Sequence, residues 1–151
     1  MKIMVIDDVF MNILRLKEAV RAFGEVEGYQ NAREGLEALQ FAYLTNAPYD
    51  LLFLDILMPE LSGFEVLDAL VKMGADRPPK ERTKVVMVTS RNQEESVRKS
   101  IRSGASGYVI KPFQNERIHA EILRLTGMSP GAAGAPERGP EGNEAGDSPE
   151  I

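Results

Sequence analysis

The sequence has 151 residues, of which 43% are hydrophobic, and a formal net charge of −5, so its length suits one domain with a substantial core. It contains no cysteine and a single histidine, His119, which excludes disulfides, thiolate metal sites, a cysteine nucleophile and multi-histidine metal centres. It shows neither a signal-like or membrane-spanning apolar segment nor an excess of basic residues, so we expect a cytoplasmic protein with no membrane and no nucleic acid among its partners.

Short apolar segments alternate with helical patterns along residues 1–127. The segments Ile3–Ile6, Leu51–Leu54, Val85–Val88 and Tyr108–Ile110 are mostly Val, Ile and Leu, which is typical of strands buried on both faces of a parallel sheet. A weaker second strand is predicted at Glu25–Tyr29.

Between the predicted strands, apolar residues recur at the spacing of a helix. The five patterns are Ile13, Leu16, Val20 and Phe23; Leu36, Leu39 and Tyr43; Phe64, Leu67 and Val71; Val97 and Ile101; and Ile118, Ile122 and Leu125. Because parallel neighbours need a crossover connection, this alternation predicts a doubly wound α/β sheet with helices on both faces.

Residues 128–151 have a different composition. They are dominated by Gly, Pro, Ala and Glu and carry most of the net negative charge, without periodic apolar positions or an aromatic residue. We therefore predict one domain over residues 1–127 and a disordered tail over residues 128–151, which is too short and too polar to fold into an output module.

Five polar residues lie just past predicted strands: Asp7, Asp8, Asp55, Thr89 and Lys111. The carboxyl ends of parallel strands meet at one edge of the sheet, so we expect these side chains to converge on a single crevice. Clustered carboxylates repel one another, so either one stays protonated or a hard divalent cation neutralises them. An oxygen-only set of few ligands suits Mg²⁺, which also shares phosphate oxygens.

The same residues are the parts that phosphoryl transfer needs. Asp55 follows the segment expected to be a central strand and is the candidate nucleophile, which leaves Asp7 and Asp8 as the metal-binding pair. Lys111 and Thr89 offer a cation and a hydroxyl donor to the charge that develops on the transferred group.

Each residue also has a simpler interpretation. Asp7 and Asp8 could cap the first helix, and Asp55 could cap the turn before Pro59. Lys111 could be a solvated lysine, and Thr89 could cap the fourth helix. These interpretations do not explain well why all of the residues follow strands.

In order and spacing, several segments resemble the receiver domain of two-component response regulators, similar to the single-domain chemotaxis and phosphorelay regulators. The matching segments are Ile6-Asp7-Asp8, Asp50 to Met58 with Pro59 and Gly63, Val85 to Ser90, Gly104 to Tyr108, and Lys111-Pro112-Phe113. The resemblance covers about residues 1–127. It implies a flavodoxin-like fold, with a five-stranded parallel sheet in the order 2-1-3-4-5 and five helices.

By this resemblance, Asp55 accepts a phosphoryl group from a histidine kinase or a phosphotransfer protein. Asp7, Asp55 and the backbone carbonyl of Leu57 hold Mg²⁺, and Asp8 contributes mainly through water. Lys111 pairs with the phosphoryl group.

The resemblance also implies a switch and a surface that partner proteins read. The Thr89 hydroxyl moves toward the phosphoryl oxygens, and the Tyr108 ring turns inward. The residues implied for the surface are Arg98, Lys99, Arg102, Tyr108 and His119. Without the resemblance, Tyr108 is equally well explained as partly buried core, His119 as a surface residue of the last helix, and the basic residues as a solvated face.

Two further positions are implied to modulate rates. Leu57 and Arg91, two residues after Asp55 and Thr89, influence hydrolysis of the phosphorylated state in the family. Val9 and Phe10 are bulkier and more apolar than the residues often found after the acidic pair, which we expect to alter access to the metal.

The predicted function is a single-domain response regulator that signals by phosphorylation-dependent partner binding and catalyses only its own aspartyl phosphorylation and dephosphorylation. One alternative is a Mg²⁺-dependent phosphohydrolase with an Asp nucleophile, which would need a second catalytic carboxylate and a substrate-binding cap insertion. Another is a constitutive scaffold, which is disfavoured because all five site positions are present.

Overall fold

The computed structural model describes residues 1–90 and 94–131, so the predictions for Arg91 and for the tail from residue 132 onward lie outside the described residues. The strands are β1 (Lys2–Ile6), β2 (Glu25–Tyr29), β3 (Leu51–Asp55), β4 (Lys84–Ser90) and β5 (Gly107–Lys111). The α-helices are α1 (Phe10–Val20), α2 (Ala32–Leu44), α3 (Gly63–Met73), α4 (Glu94–Arg102) and α5 (Asn115–Thr126), with 3-10 turns at Arg21–Phe23 and Pro79–Glu81. None of these helices is long and apolar enough to cross a membrane.

The strands form one parallel sheet in the order β2-β1-β3-β4-β5. Helices α1 and α5 pack on one face, and α2 and α3 pack on the other, each pair over its own apolar core. The predicted strand order, the five helices and the doubly wound, flavodoxin-like architecture are thereby confirmed.

The central strand β3 is buried along its whole length, from Leu51 to Asp55. Burial on both faces explains why this strand reads as a continuous apolar run and not as an alternating pattern. The strand ends in a charged residue, Asp55, which is 6% exposed. An acidic side chain is therefore held at the carboxyl edge of the most buried element of the sheet.

Strands β3, β4 and β5 continue beyond their apolar runs. Their ladders pair Asp55 with Val88 and Lys111 with Ser90. Backbone hydrogen bonding does not depend on whether a side chain is polar, so the ladder extends through these residues. Asp55, Thr89 and Lys111 consequently lie on strands, where their backbones are fixed, and not in the loops that follow.

Two helices bury residues other than those that their apolar spacing predicts. In α3, Leu70 is buried and Val71 is exposed, and in α4, Ser100 is buried and Ile101 is exposed. The Ser100 hydroxyl donates a 2.8 Å hydrogen bond to the Ser96 carbonyl, which removes most of the cost of burying it. The two apolar residues of α4 were too few to define its inward face.

Candidate functional site

The three acidic residues predicted to converge do so at the carboxyl edge of the sheet. One carboxylate oxygen from each of Asp7, Asp8 and Asp55 lies within 4.8 Å of the other two. Asp7 and Asp55 are buried, and Asp8 is half-buried. Strands β1 and β3 are neighbours whose ladder pairs Ile6 with Leu54, so the residues that follow emerge side by side.

Lys111 completes the cluster from the edge strand β5. Its Nζ lies 3.3 Å from Oδ1 of Asp55 and 3.5 Å from Oδ2 of Asp7. The Lys111 side chain is about one-quarter exposed, so the simpler interpretation of Lys111 as a solvated lysine does not describe it. The peptide bond between Lys111 and Pro112 is cis.

The two oxygens of Asp7 have different surroundings. Oδ1 accepts hydrogen bonds from the backbone N–H of Val9 at 2.9 Å and from Nδ2 of Asn12 at 3.3 Å. Oδ2 is buried and accepts no hydrogen bond within the described part of the chain. A buried acceptor of this kind is costly unless a charge or ligand meets it.

The capping alternative for Asp7 is partly realised. Val9 is the N-cap residue of α1 and provides no side-chain cap, while Oδ1 of Asp7 binds the Val9 N–H one residue before the helix begins. One Asp7 oxygen therefore supports the start of α1, and the other is directed into the acidic cluster.

Burial and acidic neighbours make Asp55 a weaker acid than usual. Burial is the main cause, the Asp7 carboxylate adds to it, and together they raise the pKa of Asp55 to about 6, although Lys111 acts in the opposite direction. Asp8 contributes a further small increase. An added cation would relieve this repulsion.

The donor set fits a hard divalent cation. It consists of one carboxylate oxygen from each of three residues. The Oδ2 atom of Asp7 is buried and accepts no hydrogen bond from the described residues. Oxygen ligands of this number suit Mg²⁺, which keeps part of its water shell and shares oxygens with phosphates.

Thr89 and Tyr108 lie on the same face of the sheet. The β4–β5 ladder pairs Met87 with Tyr108 and Thr89 with Ile110, so Thr89 and Tyr108 are diagonal neighbours with side chains on one side. Thr89 is buried, its hydroxyl lies 3.4 Å from the Ser90 carbonyl, and Tyr108 is half-buried against the core under α2 and α3. Both interpretations of Tyr108, as core and as a mobile ring, fit a half-buried position.

The start of α3 holds the segment that follows Asp55. The N–H of Gly63 donates to the Ile56 carbonyl at 2.9 Å, and a Cβ placed on Gly63 would collide with the Asp55 carbonyl oxygen and lie 2.9 Å from Cα of Ile56. Ser62 and Glu65 form a capping box at this end of the helix. Between these elements, Leu57 is 63% exposed.

The five residues implied for the partner surface do not share one surface. Nε2 of His119 lies 2.7 Å from the Ala19 carbonyl, and its ring packs edge-on against Phe23. His119 therefore faces α1, where the apolar Phe23 ring and an acceptor carbonyl both suit imidazole, and it does not join the basic residues of α4.

The basic residues of α4 are exposed, and two of them contact other side chains. Nζ of Lys99 lies 4.4 Å from the centre of the Phe64 ring on α3, a cation–π contact. Arg98 pairs with Glu95 at 3.1 Å. Arg102 is exposed at the end of the same helix.

Sequence reasoning missed Asn12, whose amide contacts Asp7. Asn12 is the third residue of α1, and side chains in a first helical turn point back toward the preceding strand. The signal available in the sequence was that Asn12 follows Asp7 by five residues, at the start of the first predicted helix.

Val9 and Phe10, the bulky residues after the acidic pair, are exposed at the start of α1. Their expected effect on access to the metal stays a prediction.

A family model described as the response regulator receiver domain matches residues 3–123. The chemotaxis protein CheY of Listeria monocytogenes is 33% identical over 118 residues, which cover 78% of this chain and 92% of that protein.

Solved structures show the same similarity. The chemotaxis protein CheY4 of Vibrio cholerae aligns with a TM-score of 0.69 at 27% identity, covering 82% of this chain and 97% of that one. A response regulator receiver domain protein from Clostridium thermocellum aligns with a TM-score of 0.69 at 25% identity, covering 82% and 92%.

Proposed function

The chain belongs to the response regulator receiver family, and from that membership we propose that Asp55 accepts a phosphoryl group and that the modified protein signals through a changed affinity for its partners. The observation that carries the proposal is the placement of Asp55. It ends the central strand, belongs to a three-carboxylate cluster and has Lys111 Nζ 3.3 Å from its Oδ1.

The proposed step is an in-line transfer from a phosphohistidine of a histidine kinase or phosphotransfer protein. A carboxylate oxygen of Asp55 forms a bond to phosphorus while the bond from phosphorus to the imidazole nitrogen breaks. The imidazole keeps that electron pair and takes up a proton from solvent. Asp55 must be ionised to attack, and a pKa of about 6 leaves it mostly ionised at neutral pH.

In this proposal Mg²⁺ is held by Asp7, Asp55 and the backbone carbonyl of Leu57, with Asp8 contributing mainly through water. When bound, the ion neutralises charge on the phosphoryl oxygens. Lys111 and Thr89 supply a cation and a hydroxyl donor to the same oxygens. Oδ2 of Asp7 supports the assignment, since it is buried, accepts no hydrogen bond from the described residues and has only the Lys111 ammonium 3.5 Å away to meet its charge there.

Phosphorylation replaces the single negative charge of ionised Asp55 with a group of about two negative charges, a net gain of about one next to Thr89. We propose that Thr89 moves toward the phosphoryl group and that the Tyr108 ring turns inward, as a shift between two existing arrangements. The position of the two residues as diagonal neighbours on one face of the sheet supports this coupling.

The surface proposed for an effector protein includes Arg98, Arg102 and Tyr108, with Lys99 at its border with α3. His119 is left out because its ring contacts Phe23 and the carbonyl at Ala19. A partner with acidic side chains would complement this surface.

Leu57 and Arg91 are proposed to set the lifetime of phosphorylated Asp55. The 63% exposure of Leu57 supports its part, since an exposed side chain two residues after Asp55 can control access of water. The protein would then catalyse only its own phosphorylation and dephosphorylation.

The proposal is tested by incubating the full chain with acetyl phosphate and Mg²⁺. We expect intact-mass spectrometry to show one added phosphoryl group, which hydroxylamine removes and which decays with a single half-life. Asp55→Asn should remain unlabelled, and Asp76→Asn, which changes an exposed acidic residue, should label like the wild type.

Two further measurements, an assay with phosphomonoesters and an assay of biological activity, separate the alternatives. Repeated turnover of phosphomonoesters without a labelled protein would indicate a phosphohydrolase. Full biological activity of Asp55→Asn would indicate a constitutive scaffold.

A further inference from the structure

Asp7 presents its two oxygens to different groups. Two protein donors, the Val9 N–H and the Asn12 amide, occupy Oδ1. Oδ2 is buried, accepts no hydrogen bond from residues 1–90 and 94–131, and lies 3.5 Å from Lys111 Nζ. The carboxylate is therefore oriented, with one oxygen held by the start of α1 and the other facing the cluster.

Of the two donors to Oδ1, only Asn12 depends on a side chain. The Val9 N–H is a backbone group that persists in every sequence except one with proline at that position. Asn12 is half-buried in the first turn of α1. It connects the helix to the carboxylate and not to any other residue among its described contacts.

We propose that Asn12 is a positioning residue for the cation site: it locks the rotation of the Asp7 carboxylate so that Oδ2 faces the metal. The inference rests on the proposed function, because it requires Mg²⁺ to bind at Asp7 and Asp55. It adds a residue that does not touch the metal but determines how tightly Asp7 binds it.

The physical basis is the freedom of the carboxylate about its last bond. With a single remaining donor, the group can turn and share its charge between the Val9 N–H and Lys111. In such a variant, Mg²⁺ binding would have to fix the rotation of the Asp7 carboxylate. In the wild type, Asn12 fixes that rotation before the ion binds. Residues that orient a metal ligand typically affect affinity by about 10- to 100-fold, and the lower end applies here because one donor is retained.

The test measures Mg²⁺ binding directly, by two-dimensional NMR titration of the full chain. In Asn12→Leu, which keeps the branched shape of the side chain and removes the donor, we expect the Mg²⁺ dissociation constant to rise about tenfold. The carboxyl ¹³C resonance of Asp7 should also shift before any metal is added. Met11→Ala, a change at an exposed neighbour, should bind Mg²⁺ like the wild type, and thermal unfolding in EDTA should be unchanged in both variants.

If Asn12→Leu unfolds at lower temperature, Asn12→Ala is measured in its place. Dissociation constants within twofold of the wild type in the folded variant would overturn the role of Asn12 and leave the proposed function intact. A wild type that binds no Mg²⁺, or an Asp55→Asn variant that binds it equally well, would instead remove the proposed site and this inference with it.

Discussion

The ammonium nitrogen of Lys111 lies 3.3 Å from Oδ1 of Asp55, although their strands β5 and β3 are separated in the sheet by β4. The pair therefore reaches across the end of β4, beside Thr89. It is shielded from solvent more than a surface ion pair, since the Asp55 side chain is 8% exposed. Lys111 favours the ionised form of Asp55 in surroundings that otherwise disfavour it.

Replacing Lys111 with Ala should slow labelling of Asp55 by acetyl phosphate by about 10- to 100-fold, because a cation that meets the transferred group is lost. The pKa of Asp55 should also rise further, since Lys111 lowers it. Initial rates measured from pH 5 to 9 would then show a profile displaced to higher pH. Lys80→Ala, at an exposed lysine, is the control, and equal rates in the two variants would contradict the role of Lys111.

The raised pKa of Asp55 predicts a pH-dependent stability. Burial is the largest cause of the rise from 3.8 to about 6, so the folded state binds this proton more tightly than the unfolded chain. The free energy of unfolding therefore decreases as pH rises through that interval. Asp55→Asn should be more stable than the wild type by about 1–3 kcal/mol at pH 7.5 in EDTA, and the difference should shrink below pH 4.

Urea unfolding at pH 4, 5.5 and 7.5 measures this difference. Asp76→Asn provides the exposed comparison and should match the wild type within about 0.5 kcal/mol. A stability gain in Asp55→Asn that did not vary with pH would show that ionisation of Asp55 is not its cause.

Gly63→Ala should lower the free energy of unfolding by about 2–4 kcal/mol, because the added methyl meets backbone atoms of Asp55 and Ile56 that cannot move aside. Gly74→Ala is the matched control at the other end of α3. There the methyl would meet only side-chain atoms of Arg82 and Tyr43, at 3.3 Å. Equal unfolding free energies for the two variants would refute the close packing inferred at Gly63.

Coupling between Thr89 and Tyr108 can be observed with fluorotyrosine and ¹⁹F NMR, since the chain contains four tyrosines. Beryllium fluoride with Mg²⁺ should shift the Tyr108 signal in the wild type and leave it nearly unchanged in Thr89→Ala. Tyr108→Phe assigns the signal, and the other three tyrosines serve as internal controls. A full shift in Thr89→Ala would exclude Thr89 as the connection.

Glu121 should be the main electrostatic support of the β5 edge. It is buried between Arg117 and Arg124, whose guanidinium groups also donate to the carbonyls of Tyr108 and Ser106. Burial alone would raise the pKa of Glu121, but the hydrogen bonds from the two arginines outweigh it and hold the pKa below 4.5.

A lowered pKa means that this stabilisation is present above pH 4.5 and is lost as pH falls through the folded-state value. Glu121→Gln should cost about 1–3 kcal/mol at pH 7 and less under acid conditions. Urea unfolding gives the free energy of unfolding of Glu121→Gln and of the control Glu116→Gln, which changes an exposed glutamate. A loss in Glu121→Gln that is no larger than in Glu116→Gln would contradict the network.

Much of the fold and of the candidate site could be predicted because they depend on features that are local in the chain. Buried parallel strands read as apolar runs, and polar residues at their carboxyl ends must meet at one edge. Asp7, Asp55 and Lys111 were therefore expected together. The inward face of α4 was not predictable, because Ser100 is buried through a hydrogen bond to Ser96 and not through hydrophobicity.

The sequence by itself determined which residues converge, since the ends of the strands and the parallel sheet follow from periodicity and crossover rules, and the strand order was implied by the resemblance to receiver domains. Only the tertiary structure decided how the side chains are oriented there. The contact of Asn12 with one oxygen of Asp7, the turn of His119 toward α1 and the raised pKa of Asp55 each arise from distances between elements. Such distances depend on packing and burial, which no single segment of the chain encodes.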